Sequence, residues 1–275
     1  MLLKGKAALI TGGGRGIGKA IAFAYAKEGA DVAVASRTEE EIEGVVAQIT
    51  KEIGRRAVAI VGDVTKEQEV ISMIRRTIEE LGKIDILVNN AGVTDKEHRL
   101  VKDLPAEVWT AIIMTNLTGT FLCSKYVIPH MMANRAGNII NITSLLGQKG
   151  MTRKGEAAYS ASKFGIEGLT EVLAKELKEY GINANTLYPA AKVDTGFFDY
   201  LSPEERSKLE PPGIVVQPAI FLALQPPMGV TGESINAKRW RDEPAYREAL
   251  LGRLDPQLRE LFAKRFISQS SPTHA

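Results

Sequence analysis

The stretch Thr11-Gly12-Gly13-Gly14-Arg15-Gly16-Ile17-Gly18 decides how this chain is read. It follows an apolar run, Ala7–Ile10, and opens a segment, Ile17–Lys27, whose apolar residues recur at three- and four-residue spacing. A glycine-rich turn between a strand and a helix lets backbone approach a bound phosphate, and the helix N-terminus favours the anion with about half a positive charge. The spacing is G-x-x-x-G-x-G and not the G-x-G-x-x-G fingerprint, so the strand before it and the helix after it carry the argument. In that setting Gly12, Gly14, Arg15, Gly16, Ile17 and Gly18 read as a phosphate cradle.

The same alternation continues outward. Apolar runs at Val32–Ala35, Ala57–Val61, Ile84–Val88, Ile139–Ile142 and Ala184–Leu187 show little internal alternation, as parallel strands covered on both faces do. Helical spacing fills the gaps, as at Glu39–Ile53 and Val70–Leu81. Strand and helix in regular succession predict an α/β chain: a single-domain, Rossmann-type, doubly wound parallel sheet with helices on both faces. After Tyr188 the texture changes to repeated prolines and then a charged tail beyond Trp240 that keeps helical periodicity. The expected organisation is a dinucleotide-binding and catalytic domain over residues 1–240, with a helical C-terminal appendage over 241–275 whose last residues, Ser268–Ala275, fray.

Composition narrows the function classes. With 275 residues, 44% apolar and 25% charged, the chain can bury a large core. A net charge of +2 supplies no field for nucleic acid or an acidic membrane. One cysteine, Cys123, leaves no disulfide framework and no Cys-rich metal site, and no metal is expected. No run approaches the 18 apolar residues of a membrane span, and Met1-Leu2-Leu3-Lys4-Gly5 does not begin a signal peptide. A cytoplasmic enzyme is the expectation.

The end of the second strand selects the cofactor. An acidic residue there would bind a ribose 2′-OH, whereas a cation would bind a 2′-phosphate. Here the strand ends in Ser36-Arg37, with no carboxylate before Glu39, and Arg15 of the glycine loop can point the same way. One charge-assisted bond is worth roughly 1.5–3 kcal/mol, which favours the phosphorylated cofactor by roughly ten- to a hundredfold. NADP(H) is therefore preferred, with NAD(H) possible.

The pattern Y-x-x-x-K occurs twice. Tyr188/Lys192 spans Pro189 just past a strand, where residues four apart need not meet, and reads as a decoy. Tyr159/Lys163 opens a long helical pattern running to about Tyr180, so the two side chains project from one face on successive turns. A lysine cation nearby lowers a phenol's pKa by roughly 1 to 3. A phenol tuned toward neutrality can give a proton to a carbonyl oxygen or take one from an alcohol.

The glycine loop, Asn89-Asn90-Ala91-Gly92 after the fourth strand, Asn116, Ser144 after the fifth strand and Tyr159/Lys163 stand in order on the expected elements. From about Gly5 to Ala237 the chain resembles a short-chain dehydrogenase/reductase, of the 3-oxoacyl-[acyl-carrier-protein] reductase-like kind. The resemblance implies a catalytic set of Asn116, Ser144, Tyr159 and Lys163. Tyr159 is then the general acid/base, Lys163 holds the nicotinamide ribose, Ser144 bonds the substrate oxygen, and Asn116 anchors a water that connects Lys163 to solvent. It also implies that Asp63 and Val64 contact the adenine, that Asn90, Ala91 and Gly92 pack on the adenine-side ribose, and that Pro189, Val193 and Thr195 reach the nicotinamide.

The chain departs from the family pattern after the sixth strand, where Pro189-Ala190-Ala191-Lys192 replaces Pro-Gly, and after the last strand, Gly232–Ala237, which runs into Lys238-Arg239-Trp240. The expected reaction is NADP(H)-linked hydride exchange between nicotinamide and a ketone or secondary alcohol, including a 3-oxoacyl thioester. The partners expected are that small molecule, an acyl carrier, and further copies of the chain in a homodimer or homotetramer. Lys149, Arg153, Lys154 and Lys192 are expected to ring the entrance and favour an anionic substrate, with Thr94, Leu145 and Leu146 lining the pocket. The alternatives are a sugar or polyol dehydrogenase of the same family, NAD-linked in one version, and a nucleotide-binding regulator or scaffold that no longer turns over.

Overall fold

The computed structural model describes residues 1–267; residues 268–275, the expected frayed end, lie outside them. Among the described residues, seven strands form one sheet: β1 (Ala7–Thr11), β2 (Asp31–Ser36), β3 (Ala57–Val61), β4 (Ile86–Asn89), β5 (Gly137–Ile142), β6 (Ile182–Tyr188) and β7 (Ser234–Asn236). The order is β3-β2-β1-β4-β5-β6-β7, and every pairing is parallel. The crossovers carry α1 (Gly16–Lys27), α2 (Glu39–Ile53), α3 (Glu67–Leu81), α4 (Ala106–Ile113), α5 (Gly119–Asn134) and α6 (Ala157–Glu176). Two further helices, α7 (Pro203–Arg206) and α8 (Val216–Ala223), lie between β6 and β7. The chain winds outward from β1 to β3, then returns to place β4 on the other side of β1. That reversal opens a crevice at the carboxyl ends of β1 and β4, where open α/β sheets bind ligands.

Both faces of the sheet are apolar because each strand feeds two cores in turn. Ala8 and Ile10, Val32 and Val34, Ile86 and Val88, and Ile140 and Ile142 point into one core, with α1, α2 and α8. Leu9, Ala33, Leu87 and Ile139 point into the other, with α3, α5 and α6. Period-two side chains that are apolar on both faces explain the continuous apolar runs. The fourth strand starts two residues later than its apolar run because the Ile84 N–H leaves the ladder for the His130 ring at 3.1 Å. At the seventh strand the Glu233 N–H goes to the Asn185 side chain at 3.0 Å, so only three residues pair.

The tail folds as α9 (Ala237–Asp242), α10 (Pro244–Leu251) and α11 (Pro256–Phe266). It joins the core that holds α1 and α8 through Trp240, Leu250, Leu251, Leu254 and Phe262. Trp240 lies between Phe221, centroid at 5.0 Å, and Phe262 at 5.9 Å. Arg265 donates to buried Glu28 at 2.7 Å, which also takes the Leu2 N–H. The tail thus covers the end of α1 away from its glycines.

The run Ala106–Asn134 is long and apolar enough, by length and composition, to cross a membrane, which the count of consecutive apolar residues overlooked. Its apolar side is already occupied: Leu122, Cys123, Val127 and Met131 lie in the sheet core.

Candidate active site

Nearly every residue singled out in sequence lines one cleft of about 480 Å³ at the crevice between β1 and β4. Gly18 and Asn116, of the expected cofactor-binding and catalytic residues, and Lys149, of the expected entrance cations, are not in its lining.

The floor is the glycine loop, and its shape is set by close approach. Gly12 sits at φ +61, and a Cβ there would fall 2.9 Å from Ala91 Cα. At Gly18 a Cβ would lie 2.4 Å from the Gly12 carbonyl oxygen, so α1 can press against the loop only with glycine there. Asn90 fixes the arrangement: its Nδ2 donates to the carbonyls of Thr11 at 3.0 Å and Gly12 at 2.9 Å. The Asn90 and Ala91 N–H groups donate to Thr11 Oγ1 at 3.1 and 3.2 Å. Arg15 makes no side-chain cap and the first turn of α1 carries no acidic residue, so nothing on α1 itself offsets its positive end.

Along the cleft, Ser36 Oγ closes a turn with the N–H and carbonyl of Thr38, and Arg37 lies 3.9 Å from Asp63. Arg15 lies between Glu41 at 4.0 Å and Asp199 at 3.8 Å. These long, exposed pairs are worth little and leave both guanidinium groups available. Asp63 Oδ1 accepts from the N–H and hydroxyl of Thr65, both at 2.9 Å, and Val64 packs against Gly119.

At the other end stand three of the side chains expected to be catalytic. Tyr159 and Lys163 project from the first turns of α6, and Ser144 follows β5. The Ser144 side chain is the hydrogen-bonding neighbour that acts on the Tyr159 phenol. Lys163 Nζ donates to the Ile142 carbonyl at 2.8 Å and lies 5.5 Å from the centre of the Tyr159 ring. The expected lowering of the phenol by lysine is not met in this state. Burial pushes Tyr159 up to about 12, and Ser144 is the group that pulls it down. Burial also brings the Lys163 ammonium down to about 8, against the pull of Glu167. In both groups the loss of hydration is the largest cause of the shift.

Asn116 lies in a π-helical turn, Met114–Thr118, between α4 and α5. Its amide makes three of its four hydrogen bonds: Oδ1 accepts the Val93 N–H at 2.8 Å, and Nδ2 donates to the Val93 carbonyl and to Ser162 Oγ, each at 3.0 Å. In this arrangement the side chain braces the strand end that carries Gly92.

After β6, Pro189, Val193 and Thr195 do reach the cleft, and Thr195 rests against Gly16. Ala190 has φ +55, a left-handed backbone normally left to glycine. The segment is held by the bridge between Val193 and Glu210 and by Arg206 Nε donating to Asp194 at 2.8 Å. Tyr188 Oη accepts from Asn236, far from a helical partnership with Lys192. Of the four cations expected at the entrance, Arg153, Lys154 and Lys192 line the cleft; Lys149 does not, because Gly150, at φ +80, turns the chain beside it.

Sequence reading missed four contributors: Phe197, His98, Glu156 and Tyr200. Phe197 meets the Tyr159 ring edge-on at 5.9 Å. His98 Nδ1 lies 3.0 Å from Glu156 Oε1, and Tyr200 packs edge-on against His98. Burial raises the Glu156 carboxyl above its usual range against the pull of His98. Glu156, three residues before Tyr159, could have been noticed from its place at the helix start; Phe197 sits in the short 3-10 turn Gly196–Phe198 and His98 in a loop, with no local signal.

The pattern of the short chain dehydrogenase family matches residues 6–206. The chain belongs to the short-chain dehydrogenase/reductase family. It is an oxidoreductase. A 3-oxoacyl-[acyl-carrier-protein] reductase of Synechocystis sp. is 38% identical over 242 residues, which span 85% of this chain and 96% of that protein. A 3-oxoacyl-[acyl-carrier-protein] reductase of Staphylococcus epidermidis is 42% identical over 185 residues, covering 67% of this chain and 74% of the relative. A short-chain type dehydrogenase/reductase from Mycobacterium marinum superposes with a TM-score of 0.79 at 31% identity, over 88% of this chain and 97% of that one.

The depressed Lys163 value has a measurable consequence for stability. The ordinary value is 10.5 and the folded one about 8, so between these pH values the unfolded chain holds a proton that the folded one has released. Stability contributed at this site therefore rises with pH through that window and is flat below it. Relative to Lys163→Met, the wild-type protein should gain about 3 kcal/mol between pH 8 and 10.5, read by urea unfolding. A pH-independent difference would show that burial does not set the lysine.

Proposed function

We propose that this oxidoreductase is NADP(H)-dependent and interconverts a ketone and a secondary alcohol, with 3-oxoacyl thioesters the leading substrates. The observation that carries the reading is the Ser144–Tyr159 hydroxyl pair, with Lys163 on the next turn, in the same cleft as the glycine loop.

The residues fit a dinucleotide. The uncapped N-terminus of α1 and the backbone of Gly14, Arg15, Gly16 and Ile17 would take the pyrophosphate. Arg37 and Arg15 would meet a 2′-phosphate, and Asp63 and Val64 the adenine. Asn90, Ala91 and Gly92 would pack on the adenine-side ribose, and Lys163 would hold the other ribose. Pro189, Val193 and Thr195 would border the nicotinamide. Bound there, the cofactor supplies or accepts a hydride.

The chain's own part is proton handling and orientation. Ser144 donates to the substrate oxygen, and Tyr159 delivers its proton to that oxygen during reduction or removes one during oxidation. The edge of Phe197 shields the phenol from water. Asn116 keeps the wall at Gly92 in place behind them.

Substrate class follows from what the mouth leaves unpaired. Among the described residues, Arg15, Arg37 and His98 have carboxylate partners, whereas no ion pair is found for Arg153, Lys154 or Lys192. Three cations at the mouth without a close ion pair, Lys192 among them over the Phe198 ring at 5.9 Å, suit a ketone carrying an anion, either on its own chain or on a phosphopantetheine arm. The two relatives named as 3-oxoacyl-[acyl-carrier-protein] reductases point to the same chemistry.

Tyr159→Phe should abolish NADPH-linked reduction while leaving NADPH affinity within about twofold by fluorescence titration; a full-rate variant would remove the phenol from the mechanism. Arg37→Asp should move the NADPH-to-NADH preference by roughly ten- to a hundredfold in kcat/KM, and an unchanged ratio would leave Arg37 a solvent-facing residue. Replacing Arg153 and Lys154 with alanine should raise KM for anionic ketones only, and should flatten its salt dependence. Equal effects on neutral ketones would exclude the anion site.

A further inference from the structure

One carboxylate outside the cleft is unusually occupied. Glu167 stands on α6 one turn beyond Lys163 and two beyond Tyr159. Its Oε1 accepts from Thr143 Oγ1 at 2.7 Å, Gln148 Nε2 at 2.9 Å and Ser234 Oγ at 3.2 Å. Its Oε2 accepts from Thr186 Oγ1 at 2.8 Å. These four donors come from the end of β5, the loop after it, β7 and β6.

Two of the donors matter for the site. Thr143 directly precedes Ser144, and Gln148 follows the short 3-10 turn Leu145–Gly147 that Ser144 caps through the Leu146 N–H at 3.2 Å. Both ends of the Ser144 loop are therefore fastened to the helix that carries Tyr159 and Lys163. This clamp works beside two other ties to α6, the Lys163 ammonium on the Ile142 carbonyl at 2.8 Å and Gly147 seated against the Lys163 backbone, and it grips the loop on either side of Ser144.

Charge makes the second link. Residues four apart on a helix are about 5–6 Å apart at Cβ. The polar groups that Lys163 faces are the Ile142 carbonyl on β5 and Tyr159 and Glu167 on its own helix. Glu156, before the helix, acts on Tyr159, and Tyr188 on β6 faces Glu167. Among these, Glu167 is the carboxylate that favours the ammonium.

We propose that Glu167 is a positioning residue, which holds Ser144 in register with Tyr159 and supports the charge on Lys163. The inference rests on the reading that these three side chains work together, but its first readout needs neither substrate nor cofactor.

Two variants separate charge from geometry. Glu167→Gln keeps the side-chain length and an accepting oxygen, and the Thr186 hydroxyl can rotate to accept from the new amide; only the charge is lost. Glu167→Ala removes the clamp. In the full-length protein with lysine labelled at 13Cε, the Lys163 signal is the one absent from Lys163→Arg. In Glu167→Gln it should titrate lower by roughly one pH unit, and the alkaline limb of kcat/KM should move by the same amount, with Tm near wild type. In Glu167→Ala, kcat should fall by about tenfold or more while KM changes by less than about threefold. An unmoved Lys163 titration in Glu167→Gln, or a wild-type kcat in folded Glu167→Ala, overturns the proposal. If Glu167→Ala does not fold, the titration in Glu167→Gln decides alone. A fully active Tyr159→Phe would instead overturn the functional reading and leave the Lys163 titration result standing.

Discussion

The architecture depends on how the ends of two adjacent strands are tied together. β1 and β4 neighbour each other in the sheet but lead in opposite directions, and the gap between their outgoing loops is the ligand crevice. The Asn90 amide closes its floor by donating to the carbonyls of Thr11 and Gly12, and Thr11 Oγ1 accepts the N–H groups of Asn90 and Ala91. Buried carbonyls that turn away from a ladder must find donors elsewhere. Here one side chain satisfies two of them and fixes the glycine loop at the same time. Gly12 and Gly18 are the complement of that knot, because any side chain at either position would collide with it.

A second polar knot, at Glu167, performs the equivalent task on the other side of the crevice. It gathers β5, β6, β7 and the Ser144 loop onto α6. The end of the cleft that holds Ser144, Tyr159 and Lys163 is thereby assembled from rigid elements, whereas its mouth is built from the loops and short turns around His98, Arg153 and Phe197. A stiff reacting centre with a loop-built entrance lets one fold serve many substrates, since the loops change without disturbing the chemistry.

The site is also maintained against a stability cost. Lys163 is almost fully buried, its ammonium is brought down to about 8 by desolvation, and Ala190 holds a left-handed backbone beside the cleft. Such strain is kept only where the surrounding structure over-determines it. The tail contributes to that surrounding structure from a distance, packing Trp240 and Phe262 against Phe221 under the nucleotide half of the sheet.

What the sequence determined by itself was everything written in local pattern. The parallel doubly wound sheet followed from apolar runs alternating with helical spacing, and the tight strand-to-helix turn from the glycines of Gly12–Gly18. The Tyr159/Lys163 pair was separable from Tyr188/Lys192 because only the first lies on a continuous helix. Tertiary structure decided whatever depends on contacts between distant segments. It set the ionisation of Tyr159 and Lys163, where burial is the largest cause of the shift in each. It turned Asn116 into a brace for Val93, excluded Lys149 from the mouth, and brought Phe197 and His98 to the cleft. It also made a hub of Glu167, whose partners lie up to 67 residues away. Spacing along one element predicts which side chains share a face; desolvation and loop approach depend on what the rest of the chain packs against that face.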